Sequence, residues 1–535
     1  MASTRTDIST RIPKHPTRHR RTEQLMTRRF TRLRTAAAAL LVGALALTAC
    51  AAAPASNSSG DDDGESVLRW AATLPAHWDP IVQGSGFGFN LTALAYASLT
   101  EIDEKGEAAP GLAESWDYND EGTAVTFHLR EGLVFQDGEP LNAEAVKLYI
   151  ERAKTQENSA LFGDLTSIDS VTADSETDVT VHLNQVDHQI PLLLGKRTAQ
   201  ITSPVAAEDP AKLDQWPVGA GPFTVTEYVP ESHIYFEKNP DYWDADNIHI
   251  DRVELSTAPD PSTLVASIQT GVYDFAYGLA PAQYDAAIDA GLDVATHPVY
   301  SASNLSLNIN KAPFDDPAVV DAVRHAIDRD ELVEKVTFGL GYATTQPFPE
   351  GYIAYDDESE DLWPYDPEES KKILADAGYE PGEIVVDFVV SADAVINEVI
   401  QAQLAAVGIT ANITVAPDWA TPFFAKDLVL STYGTTGRES PVQTLTAHFG
   451  PDGPLNLSSP YVPEGFDEAI RIARETPLDA PDYAENLQEA TRAGLQSGAL
   501  VFTVGVPTLI VKSPKVSDLP QIPGQISLTG VTVSD

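Results

Sequence analysis

Cysteine is almost absent from this chain of 535 residues, because Cys50 is the only one. A disulfide within one chain is therefore excluded, and the fold must be stabilised by burial of apolar surface. Basic residues are also scarce: 34 Lys and Arg stand against 79 Asp and Glu, for a formal net charge of −45. A protein that binds nucleic acid needs a basic surface, and so acidic a composition does not provide one. No nucleic-acid partner is therefore expected.

The single cysteine follows an apolar stretch at 36–47 and four arginines between positions 28 and 34. A basic segment, an apolar run of about a dozen residues and small residues before a cut site are typical of a secretory signal peptide. The run is shorter than the roughly 20 residues that a membrane-spanning helix needs. We predict a signal peptide at 1–49, with Met26 as the true start. The pattern at Cys50 resembles the lipobox of bacterial lipoproteins, which predicts lipidation there rather than a buried structural cysteine.

The segment that follows the cysteine lacks large apolar side chains between positions 51 and 65. Such a composition cannot bury enough surface to become ordered, so residues 50–65 are predicted to be a lipidated cysteine and a flexible tether. Folded sequence is expected to begin near Val67.

The next part of the chain mixes strand and helix patterns. Apolar residues alternate with polar ones at 125–129 and 179–183, which predicts two strands with one buried face each. Asn142 is placed to cap a helix whose buried face would hold Ala143, Val146, Ile150 and Ala153.

From about position 303 the pattern becomes a regular alternation of helices and strands. The pairs Asp316-Pro317 and Asp366-Pro367 each combine a capping side chain with a proline at the first helical position, which predicts two helix starts.

A β-α-β unit is predicted further along the chain. It consists of a buried strand at 383–390, a helix at 393–407 and a strand at 409–415, and the two strands should be parallel. The apolar tail at 500–511 also has a strand-like composition.

A series of short motifs runs through the chain in a fixed order. The motifs lie at 110–116, 125–138, 140–144, 218–223, 239–243, 308–310, 313–317, 326–329 and 365–367. Over residues 66–535 the series resembles that of extracellular solute-binding proteins of family 5, the oligopeptide-, dipeptide- and nickel-binding proteins of ATP-binding cassette (ABC) importers.

The resemblance implies an α/β fold of the two-lobed, periplasmic-binding-protein type (type II), with an extra subdomain in the first lobe. Lobe I would comprise 66–302, with the extra subdomain at about 95–205. Lobe II would comprise 303–499, and residues 500–535 would return to lobe I. The ligand would be enclosed between the lobes.

Motifs of catalysis are missing. The run at 84–88 lacks the Gly-x-Ser-x-Gly frame of a nucleophile elbow and the Gly-Lys-Ser/Thr ending of a phosphate loop. No His-Glu-x-x-His occurs, and the eleven histidines are scattered. We therefore expect no enzyme, no metal site and no cofactor. A secreted hydrolase and an adhesion or signalling lipoprotein are the rival classes.

Candidate ligand-binding residues of lobe II follow the β-α-β unit. Trp419 and Tyr433 are candidate aromatic walls, although either could belong to the core, and Gly434 would let the backbone approach a ligand. Where peptide binders of the family usually place an aspartate for the amino terminus, this chain has Arg438-Glu439. Glu439 would pair with an ammonium and Arg438 with a carboxylate, unless the two pair with each other or lie in solvent.

Candidate residues outside that segment are fewer. Ser85 and Phe87 lie in a glycine-rich loop, and Tyr277 follows a predicted strand end; these would line lobe I. Gln346 is a polar candidate on the hinge side of lobe II.

The resemblance implies a lipid-anchored substrate-binding protein on the outer face of the cell membrane, which acts as a monomer. It would capture oligopeptides between its lobes and deliver them to the permease subunits of an ABC transporter. Ligand contacts on both lobes would favour the closed state. Other solutes remain open, namely nickel chelates, opines and oligosaccharides.

Overall fold

A computed structural model describes residues 65–392 and 394–534. Cys50, the predicted signal peptide and nearly all of the tether lie outside the described residues. The strands are β1 Val67–Ala72, β2 Thr100–Ile102, β3 Ala108–Pro110, β4 Ala113–Tyr118, β5 Ala124–Leu129, β6 Ile168–Ala173, β7 Asp178–Leu183, β8 Phe223–Val229, β9 His233–Lys238, β10 Arg252–Thr257, β11 Phe275–Tyr277, β12 Asp293–His297, β13 Ser301–Leu307, β14 Tyr342–Ala343, β15 Ile384–Val390, β16 Ile409–Val415, β17 Leu430–Thr436, β18 Leu500–Phe502, β19 Val504–Gly505 and β20 Thr508–Lys512.

The α-helices are α1 Gly86–Thr92, α2 Ala143–Thr155, α3 Ile190–Leu193, α4 Pro210–Leu213, α5 Pro261–Gln269, α6 Tyr284–Asp289, α7 Pro317–Ala326, α8 Arg329–Thr337, α9 Pro367–Asp376, α10 Val395–Ala406, α11 Ala420–Phe424, α12 Pro441–Phe449, α13 Phe466–Glu475 and α14 Tyr483–Leu495. Among the described residues, none of the helices combines the length and the apolar composition that a membrane span requires.

Lobe I is built on a seven-stranded sheet with the order β12-β20-β11-β1-β10-β9-β8. β1 lies at its centre and pairs in parallel with β10 and β11, so the start of the folded chain is held between strands that are about 200 residues away. Trp70 of β1 is fully buried and packs edge-on against Phe275, with the ring centroids 4.9 Å apart.

A four-stranded antiparallel sheet, β4-β5-β7-β6, forms a separate layer in the first half of the chain. The two strands predicted from alternation are β5 and β7, which confirms them. Helix α2 packs on this sheet with its four predicted apolar residues buried. The Asn142 side chain accepts a hydrogen bond from the Ala145 N–H at 3.1 Å, which confirms the predicted cap.

Lobe II is built on a five-stranded sheet with the order β16-β15-β17-β13-β18. The predicted β-α-β unit is β15, α10 and β16, and the two strands are parallel. Both Asp-Pro helix starts are confirmed, because Asp316 caps α7 and Asp366 caps α9 through their side chains. β15 is buried on one face only, since Val385 is 57 % exposed. The strand that was predicted to be buried therefore has one exposed face.

The crossing between the lobes differs from the sequence-based boundary at 500. β18 pairs with β13 and β19 pairs with β14, so both belong to lobe II. Only β20 enters the seven-stranded sheet, between β11 and β12. The chain therefore returns to lobe I between Gly505 and Thr508. An apolar run by itself does not tell which of two sheets a strand will join.

Two glycines of the 218–223 motif are explained by close packing. A Cβ atom at Gly219 would lie 2.4 Å from the Ala95 carbonyl oxygen, and one at Gly221 would lie 2.4 Å from the Ala95 carbonyl carbon. Only glycine permits two backbone segments to cross at this distance.

Candidate ligand-binding site

A cavity of about 300 Å³ lies between the two lobes. Its aromatic walls come from both sides: Phe87 and Tyr277 belong to lobe I, and Tyr433 belongs to lobe II. The Phe87 and Tyr277 rings stack with their centroids 5.1 Å apart and their planes at 26°. Helix α1 and the end of β11 thus present one continuous aromatic surface. Three of the predicted aromatic candidates therefore meet at one place.

Tyr433 is held by an aromatic stack behind it. Its ring lies 5.6 Å from that of Trp419, nearly parallel at 9°, and 5.4 Å from that of Phe423. Trp419 is 7 % exposed, and its indole N–H donates to the Ser431 hydroxyl at 2.7 Å. Trp419 is therefore a core residue that positions Tyr433, as its alternative interpretation proposed, and it does not line the cavity.

The charged residues on the cavity wall are mostly basic. Lys196 and Arg197 come from lobe I, and Arg438 and Glu439 come from lobe II. Three cations and one carboxylate line the wall, and the Asp164 carboxylate behind the wall pairs with both arginines. The Glu439 Oε2 atom is buried and has no hydrogen-bond partner among the described residues.

Lys196 is only 7 % exposed, and its ammonium donates to the Gly524 carbonyl. Burial lowers the pKa of Lys196 to about 8, because the charged form loses its hydration. The negative charge of Glu439 partly offsets this effect. An anionic ligand beside Lys196 would therefore stabilise the charged form of this side chain.

The Asp164 carboxylate joins the two lobes. It lies in the short helical turn Phe162–Leu165 of lobe I and accepts from Arg197 of the same lobe. From lobe II, Arg438 Nη1 donates to it at 3.3 Å and Gln443 Nε2 at 2.6 Å. Arg438 thus has a lobe I partner, and burial lowers its pKa.

A second cluster spans the lobes beside the first. The Gln189 side-chain oxygen in lobe I accepts from the Ser440 hydroxyl and from the Tyr483 hydroxyl, each at 3.0 Å. Gln189 is 3 % exposed and Ser440 is 1 % exposed. The structure is therefore a closed arrangement in which hydrogen bonds across the cleft enclose the cavity.

Comparison with known proteins accords with this geometry. The model of bacterial extracellular solute-binding proteins, family 5 (middle region), matches residues 107–456. The chain belongs to this family. Its members are binding proteins and not enzymes, which confirms the prediction of no enzymatic activity and identifies the chain as a substrate-binding protein of an ABC importer that works outside the cytoplasm.

Curated relatives carry different ligand names. Heme-binding protein A of Haemophilus influenzae is 28 % identical over 381 residues, which cover 64 % of this chain and 68 % of that protein. The glutathione-binding protein GsiB of Escherichia coli K12 is 32 % identical over 330 residues, which cover 60 % of this chain and 63 % of that protein.

A solved structure with the same fold is the binding protein AgaA of A. tumefaciens R10 in complex with agropinic acid. It has a TM-score of 0.76 at 22 % identity and covers 88 % of this chain and 99 % of its own. This likeness confirms the predicted two-lobed fold and, at that identity, carries no information about the ligand.

Besides Trp419, three predicted site residues of this solute-binding protein lie outside the cavity wall. The Ser85 hydroxyl caps α1 by accepting from the Gly88 N–H at 3.3 Å. Gly434 lies in β17, paired with Ser303 of β13. The Gln346 amide is fully buried and exchanges two hydrogen bonds with the Asp356 backbone, at 2.9 and 3.0 Å. These residues shape local structure.

Several cavity residues of this family 5 protein were missed by the sequence analysis. They are Lys196, Arg197 and Gly524, together with Asp164 behind them. The pair Lys196-Arg197 was detectable, because adjacent basic residues are rare in so acidic a chain. The other two offer no local signal. Within residues 65–392 and 394–534, no group of three or more His, Cys, Asp or Glu is placed to hold a metal ion.

Proposed function

We propose that this substrate-binding protein captures a short peptide or peptide-like solute that carries both an amino group and at least one carboxylate. The observation that supports this most directly is the opposed charge on the cavity wall. Glu439 offers a carboxylate with an unpaired oxygen, and Lys196 offers a positive charge. Arg197 and Arg438, which already pair with Asp164, add N–H donors to the wall. A zwitterion places an ammonium and a carboxylate in one molecule and so matches both features.

The size of the cavity favours a short ligand. At about 300 Å³ it lies at the lower end of small-molecule sites, which span roughly 300–1,000 Å³. The resemblance pointed to oligopeptides in general, whereas the closed cavity suits a ligand of two or three residues. The stacked walls at Phe87, Tyr277 and Tyr433 would pack against its side chains.

The names of similar proteins support an acidic ligand. Glutathione and heme, the ligands in the names of two relatives, both carry carboxylates. Lys196, the cation of the wall that Asp164 does not neutralise, also favours a second candidate, a non-peptide carboxylate such as an opine. Nickel chelates and oligosaccharides find less support, because neither requires this charge pattern.

We further propose that the protein is a monomer held at the outer face of the cell membrane by a lipid on Cys50, where it delivers its ligand to the permease. The support is the basic, apolar and small-residue pattern before Cys50. A Cys50→Ser variant is expected to leave the membrane fraction and to appear in soluble form. If the variant stays with the membrane as the unaltered chain does, lipid anchoring at Cys50 is contradicted.

Native mass spectrometry of the protein purified without denaturation tests the ligand class. A mixture of bound masses that fragment as dipeptides and tripeptides is expected. One non-peptide acid as the bound species would replace the peptide proposal with the second candidate.

The role of Glu439 has its own test. Glu439→Gln should weaken the binding of a peptide with a free amino terminus at least about tenfold, because a charge-assisted hydrogen bond is lost. The variant should leave the dissociation constant of the N-acetylated peptide unchanged, since that peptide has no ammonium. Glu464→Gln, at an exposed position of the same lobe, is the matched control. Equal effects of Glu439→Gln on both peptides would contradict the assignment.

A further inference from the structure

A second cavity of about 290 Å³ lies beside the ligand cavity, within lobe I. The two cavities share Asn90, Ile102 and Lys196 in their walls, so these three side chains form a partition between them. We name this second cavity the side chamber. Its apolar wall is formed by Leu94, Tyr96, Tyr242, Trp243, Ile248 and Ile526.

At the polar end of the side chamber, the Gln525 side chain presents a hydrogen-bond acceptor that has no donor among the described residues. Gln525 is 8 % exposed, and its Nε2 donates to Glu101 Oε2 at 3.4 Å. This orientation leaves Gln525 Oε1 buried and without a hydrogen-bond partner among the described residues. Rotating the amide would direct its oxygen at the carboxylate of Glu101, so the unpaired acceptor is a consequence of the arrangement. A buried acceptor without a donor is costly.

The charges at this end are also unbalanced. Burial raises the pKa of Glu101 to about 7, and Asp244 adds to this effect through like-charge repulsion. Lys196 opposes it from the partition. Arg130 has other partners. Its guanidinium lies over the Trp243 ring, 4.2 Å from the centroid, and its Nε donates to the Gly111 carbonyl at 2.8 Å. A further cation beside Glu101 would neutralise its carboxylate and could donate a hydrogen bond to the unpaired Gln525 Oε1.

The partition contains a side chain that can move. Lys196 has four rotatable bonds, and its ammonium is held to the Gly524 carbonyl of the C-terminal segment. Another rotamer of Lys196 would leave Asn90 and Ile102 as the remaining partition. An extended arm of a ligand bound between the lobes could then reach the side chamber.

We propose that the side chamber is a subsite for a second arm of the ligand, namely an apolar stem that ends in an ammonium or guanidinium held by Glu101 and Gln525. This inference rests on the proposed function, since it assumes a peptide or peptide-like main chain between the lobes. It defines the ligand class more closely: one residue of the short peptide carries a side chain of the lysine, ornithine or arginine type. The apolar wall contacts the stem, and the acceptors bind the terminal charge.

Two synthetic tripeptides of equal length test the proposal. Ala-Lys-Ala has the charged arm, and Ala-norleucine-Ala has nearly the same stem without the charge. Isothermal titration calorimetry on the purified protein should show Ala-Lys-Ala binding at least about tenfold more tightly, as expected for a buried charge-assisted hydrogen bond. Glu101→Gln should abolish this difference and leave the dissociation constant of Ala-norleucine-Ala unchanged. Glu107→Gln, at an exposed position nearby, is the matched control and should retain the difference.

The outcomes separate the two proposals. If both tripeptides bind with equal affinity, the subsite is overturned while peptide capture stands. If neither binds, peptide capture itself is overturned and the subsite with it. If the preference for lysine persists in Glu101→Gln, the charged arm binds elsewhere and the subsite is overturned. Should Glu101→Gln fail to fold, Gln525→Met takes its place. Loss of the Gln525 oxygen should reduce the preference for Ala-Lys-Ala over Ala-norleucine-Ala relative to the unaltered protein, and an unchanged preference would overturn the subsite.

Discussion

Asp164 joins the two lobes through a single carboxylate, which accepts from Arg197, Arg438 and Gln443. Its side chain is 11 % exposed. Asp164→Asn removes the charge that the two guanidiniums share, so the closed state should lose about 1.4 kcal/mol and the ligand dissociation constant should rise about tenfold. Calorimetric titration with the ligand identified by mass spectrometry measures this. Asp120→Asn, at an exposed position of the same lobe, should have no effect, and an unchanged affinity in Asp164→Asn would contradict the bridging role.

Lys196 gives the protein a pH-dependent stability. The pKa of this lysine is about 8 in the folded protein against 10.5 as its ordinary value, so the unfolded chain binds more protons between these two pH values. The free energy of unfolding therefore rises as pH increases from about 8 towards 10.5, by up to about 3 kcal/mol, and falls as pH is lowered back to 8. Urea unfolding of the ligand-free protein at pH 7.5 and 9.5 should show this rise relative to Lys196→Met. Parallel pH profiles of the two proteins would be evidence against it.

At the scale of elements, helix α12 connects the fold of lobe II to closure. Ser440 caps this helix by accepting from the Gln443 N–H at 3.2 Å, and its hydroxyl also donates to Gln189 of lobe I. Ser440→Ala should remove both interactions, lowering the free energy of unfolding by about 1 kcal/mol and weakening ligand binding. Gln189→Met leaves the cap intact, so it should weaken binding with a smaller loss of stability.

The comparison of these two variants separates capping from closure. Chemical denaturation reports the free energy of unfolding, and titration reports the affinity. If Gln189→Met leaves the affinity unchanged, the cluster at Gln189 does not contribute to closure.

At the scale of the whole molecule, the two lobes are closed over the cavity by hydrogen bonds that belong to the protein itself. Ligand contacts add to these, so the ligand should shift a population of open molecules towards the closed one. Small-angle X-ray scattering should show a smaller radius of gyration on ligand addition. The double variant Asp164→Asn/Gln189→Met should have a larger radius without ligand and compact further when ligand is added. A radius that is the same in all four samples would rule out this closure.

Local patterns anticipated much of the fold. The cap at Asn142, the two Asp-Pro helix starts and the β15-α10-β16 unit depend on interactions within segments no longer than 384–415, which a sequence pattern records directly. In the site, Tyr433, Arg438 and Glu439, which the family resemblance and their residue types selected as ligand-binding candidates, line the cavity. The same residue types gave no means of telling Trp419 or Gln346, which are buried in the core, from residues that face the cavity.

The sequence by itself determined the family, the two-lobed α/β fold and the absence of catalytic motifs, because these follow from local patterns and from motif order. Only the tertiary structure decided which residues meet. Asp164 and Arg438 are 274 positions apart, and Lys196 contacts Gly524 across 328 positions. Neither partner carries a local sign of the other, since the contact exists only after two sheets have formed and the C-terminal segment has returned to lobe I. The charge pattern of the cavity and its side chamber is therefore a property of the folded chain.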